Sequence, residues 1–209
     1  MQFNKALVAG KLRRWEKYLE EYRLPFWEDI PDFGLYMDQV VTLLKGYLDY
    51  LPPELKEEQF ITPATINNYV RKKIMPEPVK KKYYRSHIAY LIMICTLKHG
   101  LSIATLQTII PHPLPPEELE TRYNAYVRRH RLSAKYFLEA VRNVAGGILG
   151  HDQATEYTTD DPTDLIVSSA IASAFARLLA EKLLLLEGRD MTNGGSIELS
   201  RREREHKET

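Results

Sequence analysis

ITPATINNYVRKKIMPEPVKKKYYR, residues 61–85, sets seven lysines and arginines against a single acid, Glu77. Thr62 followed by Pro63 reads as a helix start, since the hydroxyl can accept from a free first-turn amide and proline loses nothing where no N–H partner exists. From there Ile66, Tyr69, Val70 and Ile74 recur at helical spacing and predict one buried face. The opposite face presents Ala64, Thr65, Asn67, Asn68, Arg71 and Lys72, with Lys73 just beyond. It holds no acid, so no i,i+4 ion pair supports the helix, and two successive asparagines are poor interior helix formers. The same residues suit a DNA major groove. Asparagine pairs bidentately with adenine, Ala64 and Thr65 can meet a thymine methyl, and Arg71 or Lys72 can reach guanine or phosphate.

Prolines follow this helix, and then Lys80, Lys81, Lys82, Tyr84 and Arg85 in extended register. That pattern predicts a short β-wing along the phosphate backbone, where charge supplies affinity without reading sequence. The alternative is a surface that docks another protein beside a solvated lysine loop.

The overall charge of +1 hides an uneven distribution. Residues 61–100 carry eight basic side chains and one acid, whereas residues 1–60 and 101–209 are each mildly acidic. A basic module between acidic flanks points to an anionic partner, here double-stranded DNA. A hydrophobic fraction of 44% fits a globular chain long enough for one good core. The N-terminus breaks its apolar run too early for a secretory signal, and one cysteine, Cys95, allows no internal disulfide; both fit a cytoplasmic protein. The most apolar segment carries Arg177, Glu181 and Lys182, which argues against a membrane span.

Helical spacing dominates the remainder, so the expected fold is mainly all-α. Residues 3–22 predict a first helix, and RLPFWEDIPDFG a packed aromatic connector. LYMDQVVTLLKGYLDYL predicts a second helix closed by Pro52 and Pro53, with a polar link to the basic module. SHIAYLIMICTLKHG is too apolar all round for a surface helix, and SIATLQTII is stopped by Pro111. PHPLPP reads as a boundary, followed by long helices over 116–149 and 163–187 joined by HDQATEYTTDD. The expected organisation is therefore 1–35 (helix and connector), 36–110 (DNA-binding module), 114–187 (helical dimerisation or effector bundle) and 188–209 (flexible tail).

ITPATINNYVRKKIMP, followed by YYR and KHGLSIATL, resembles the winged helix-turn-helix domain of the MerR regulators. Thr62, Thr65, Ile66 and Tyr69 match that family's helix, Ile74, Met75 and Pro76 its turn, Tyr84 and Arg85 its wing, and Gly100, Leu101, Ser102, Ile103 and Leu106 a later element. Residues 36–110 resemble more closely still a bacterial family known as domain of unknown function 1836, itself thought MerR-like. The resemblance implies transcriptional regulation through DNA binding. Asn67 and Asn68 stand where MerR helices carry arginine and tyrosine, Val70 replaces an acid and Lys73 replaces the turn glycine, so the docking mode carries over and the base code does not.

No enzymatic pattern emerges. The six histidines show no ligand spacing with one another or with Cys95, NVAGGILG lacks the lysine of a phosphate-binding loop, and DDPTD reads as a helix cap. Neither cofactor nor metal is expected; an unidentified small-molecule effector stays open. A non-enzymatic helical interaction or ligand-binding module is the alternative function.

A single recognition helix reads only a few base pairs, so a homodimer on a pseudo-palindromic site is expected. In LIVSSAIASAFARLLAEKLLLL, Ile166, Ala170, Phe175, Leu178 and Leu185 lie near one face and Leu165, Ala172, Leu179, Leu183 and Leu184 around much of the rest, while Ala170 and Ala174 would admit a second backbone. The alternative is that residues 116–149 cover this helix within one chain.

Overall fold

The computed structural model describes residues 4–48, 61–150, 155 and 157–184. The expectations for residues 49–60 and for the tail, with Leu185, fall outside them, as do the side chains of Ala170, Ala174, Phe175, Leu178, Leu179, Leu183 and Leu184. The chain divides into two compact units, Met1–Ser168 and Ser169–Thr209.

The described residues are mainly helical, and no strand forms among them beyond isolated bridges. In chain order the helices are α1 (Lys5–Glu21), α2 (Met37–Tyr47), α3 (Pro63–Arg71), α4 (Arg85–Leu97), α5 (Ile103–Ile109), α6 (Pro116–Val144), α7 (Gly146–Leu149) and α8 (Pro162–Leu184). Among the described residues no helix is long and apolar enough to cross a membrane.

α4 is the centre of the fold. His87 through Cys95 are all buried, with α2 against one side and α6 against another. The all-round apolar sequence thus becomes a core helix, and each fully buried Ile or Leu contributes about 1.5–3 kcal/mol. The connector joins the same core through Leu24, Trp27 and Ile30, and Asn124 Oδ1 on α6 accepts from the Trp27 amide at 2.9 Å. The core also runs on past the PHPLPP stretch. The Tyr90 hydroxyl donates to the Pro111 carbonyl at 3.1 Å, and Leu119, Tyr123 and Val127 pack into the same cluster.

Two elements differ in detail from their sequence expectation. The helix expected over 116–149 breaks at Ala145 into α6 and α7. The segment after α7 returns to cap the end of α6: the Thr159 amide donates to Val144 O at 2.8 Å, and the Thr158 hydroxyl to Asn143 O at 3.0 Å. That return passes so close that a Cβ on Gly147 would lie 2.8 Å from Thr159 O, which excludes larger residues there. α1, read by itself in the sequence, packs on α6 and α7. Its Arg13 donates to Leu149 O at 2.6 Å, and its Glu16 and Glu20 hold Arg142.

Candidate nucleic-acid interface

α3 begins as its sequence predicts. Thr62 is the N-cap, its hydroxyl accepts from the Thr65 amide at 3.0 Å, and Pro63 opens the first turn. Ile66 and Tyr69 are buried and Val70 half-buried. Ala64, Asn67, Arg71, Lys72 and Lys73 are exposed, while Thr65 and Asn68 are half-buried at the edge of that face. Asn68 is not free-standing, because its Oδ1 accepts from Arg71 Nη2 at 2.9 Å.

The helix ends sooner than its apolar spacing suggests. Lys73 takes a left-handed φ of 55°, its amide bonds to Val70 O at 2.9 Å, and the Ile74 amide bonds back to Tyr69 O at 3.2 Å. This is a Schellman termination, whose left-handed residue is ordinarily glycine. Ile74 therefore reaches the core by chain reversal and not by helical phase. Gln107 Nε2 on α5 donates to Lys72 O at 2.6 Å, satisfying a carbonyl at this end.

Beyond the prolines the chain forms a minimal hairpin. Val79 and Lys82 exchange two backbone hydrogen bonds of 3.0 Å each, and the residues between them, Lys80 and Lys81, have φ of 50° and 65°. Positive φ at both central positions is the pattern of a type I′ turn, which favours Asn-Gly and penalises side chains with a Cβ. The hairpin is anchored at its base by Leu35 and Tyr83, which exchange bonds of 2.8 Å. Gly34 makes room for it, since a Cβ there would meet Lys82 Cδ at 2.9 Å and Tyr84 Cζ at 3.0 Å. Lys82 Nζ lies 5.2 Å from the centre of the exposed Tyr36 ring.

His87, only 4% exposed, clasps the hairpin. Its Nδ1 accepts from the Tyr84 amide at 3.0 Å, which assigns the proton to Nε2, and Nε2 donates to Glu77 O at 3.0 Å. One ring thereby ties the segment entering the turn to the start of α4.

The other proposed backbone-contacting residues divide. Lys80 and Lys81 are exposed, Lys82 is half-buried along Tyr36, and Tyr84 is exposed beside Gly34. Arg85 is engaged within the fold: its Nε donates to Ile30 O at 2.8 Å, and its guanidinium lies 5.9 Å from the Trp27 ring centre. Cys95 is buried, and desolvation pushes its thiol up to about 12, so it is a core residue here. Among the described residues no three of His, Cys, Asp and Glu gather into a group that could hold a metal ion.

Residues 25–126 match the family described as Domain of unknown function (DUF1836). No curated protein and no solved structure matches the chain. The limits of the DUF1836 match follow the core, whose first and last members are Leu24 and Val127. The matched segment thus runs from the connector through α2 to α5 and into the first third or so of α6.

Sequence reasoning missed the parts of this surface that arise from distant contacts, namely Gly34, Tyr36, His87 and Gln107. A glycine between Phe33 and Leu35, with Tyr36 next, just before α2 was a usable signal for the first two. Nothing local marks His87 or Gln107.

Proposed function

We propose that the chain is a DNA-binding regulator of the winged helix-turn-helix kind, with α3 in the major groove and the Val79–Lys82 hairpin as a wing on the phosphate backbone. One observation carries this reading. The described non-glycine residues with positive φ are Lys73, Lys80 and Lys81, all in the basic module. Each costs on the order of 1–2 kcal/mol that glycine would not. Lysine at three such positions is explained when its charge is needed there, and an anionic backbone supplies the need. The exposed Asn67, Arg71 and Lys72, with Asn68 at their edge, provide the donors and acceptors that base edges require.

On this reading Lys80, Lys81 and Lys82 contact phosphate. Arg85 serves chiefly to hold the connector under the wing. The regulator acts as a homodimer through α8, where Ile166, Val167 and Ile171 are exposed apolar residues.

The decisive variant is Lys80→Asn with Lys81→Gly, which keeps the turn and removes its charge. It is expected to melt higher than the parent while binding every duplex more weakly, with the log–log salt slope flatter by roughly 1 per lost contact. A variant that melts higher and keeps both affinity and slope would overturn the wing.

A further inference from the structure

α6 carries a second basic run, RRHRLSAK (residues 128–135), which the proposed DNA surface leaves unused. It has no acid, although residues 101–209 as a whole are net acidic. Arg131, Lys135, Leu138 and Arg142 recur at helical spacing and line a cleft of about 280 Å³ together with Leu19, Glu20 and Arg23 from α1 and its end. The floor is apolar, because Leu19 and Leu138 are both buried, and Leu132, 60% exposed, stands at the rim.

The charges around this cleft are unequally matched. Arg142 is neutralised by Glu16 and Glu20, which also occupies the only carboxylate in the lining. Among the described residues Arg131 and Lys135 have no ion-pair or hydrogen-bond partner, and Arg23 donates only to the neighbouring Tyr22 carbonyl, at 2.6 Å. Three cations without a carboxylate therefore border one apolar-floored hollow. Their mutual repulsion is relieved by an anion, and the leucines are relieved by an apolar tail. The volume lies just below the usual range of ligand sites, roughly 300–1,000 Å³, which restricts the occupant to a small molecule.

We propose that the cleft between α1 and α6 binds a small amphipathic anion, a carboxylate or phosphate head on a short apolar tail. The head sits between Arg131, Lys135 and Arg23, and the tail lies over Leu19 and Leu138 beneath Leu132. This site is independent of the DNA surface.

The test is calorimetric titration of the full chain with octanoate and octyl phosphate. Octanamide serves as the neutral counterpart, and acetate and inorganic phosphate as heads without tails. Saturable binding of at least one tailed anion is expected, at least about tenfold tighter than octanamide or either bare head. Arg131→Gln with Lys135→Gln should weaken it by at least about tenfold at unchanged melting temperature. Those two exposed side chains make no hydrogen bond or ion pair among the described residues that the change would break, and Leu138→Asn offers a second route by making the floor polar. No saturable binding of either tailed anion overturns the site. Equal binding of octanamide reduces it to an apolar hollow, and equal binding of the bare heads to a charged surface; either result rejects the proposal, as does unchanged affinity in both variants.

Discussion

Lysine at a left-handed φ is a local cost that a single substitution can measure. Lys73→Gly should raise unfolding stability by about 1 kcal/mol in urea denaturation, because the Schellman position then carries no Cβ. A loss of stability would show that the lysine stem packs usefully instead. The reverse holds for His87. His87→Ala leaves the Tyr84 amide and the Glu77 carbonyl unpaired beside the core, at a cost of about 1–3 kcal/mol. A cost under about 0.5 kcal/mol would mean that the clasp is dispensable. Thr62 was legible as a cap because capping is a local event within four residues. Lys73 was legible as the turn position only through the family resemblance. His87 was not legible, since its burial depends on the chain reversing between residues 77 and 84.

At the scale of elements, the proposed function has α3 and the hairpin act as a pair, and their separate contributions can be resolved. Asn68→Ala should relax preference at one or two base pairs, at about 1–3 kcal/mol, in a selection from random duplexes. The same change frees Arg71 from its contact with Asn68 Oδ1, so non-specific affinity should hold or rise slightly. An unaltered sequence preference would remove Asn68 from the readers. α8 offers the dimer test. Light scattering of the unmodified protein should give twice the 24.3 kDa of one chain, and Ile171→Glu should return it to one. A monomeric parent would exclude the homodimer. The long helices were legible because their apolar residues recur at 3.6 or fill every position, as in α4. The break at Ala145 was not, because it is made by Thr158 and Thr159, which lie beyond α7 in sequence.

For the molecule as a whole, acid is the informative perturbation. His99, His112 and His130 all have pKa values below the ordinary 6.5, chiefly because burial disfavours their charged forms. The unfolded chain therefore binds protons more readily than the folded one as pH falls through about 6.5. Stability should be at its full value above that pH and decline toward pH 5. Replacing His130, the half-buried ring set against Tyr22 and Tyr126, with Gln should flatten the decline, as followed by melting temperature against pH. A melting temperature that rose on acidification would contradict the sign. At this scale the proline-rich run at 111–116 and the core are read from different signals. Prolines punctuate the backbone locally, but only the packing of Leu119, Tyr123 and Val127 shows that the core continues beneath them. The DUF1836 match, ending at residue 126, follows the core and not the prolines.

The burial of α4 has a consequence for amide hydrogen exchange. Every residue from His87 to Cys95 is covered, and α2, the connector and α6 supply the cover from both sides in sequence. No partial opening of one neighbour exposes this helix completely, so its amides should exchange only when the whole first unit unfolds. The Lys80 and Lys81 amides, at the tip of a two-residue turn, should exchange orders of magnitude faster. One deuterium time course would thus place the slowest amides of the unit within a few residues of sequence of its fastest, separated by the imidazole of His87.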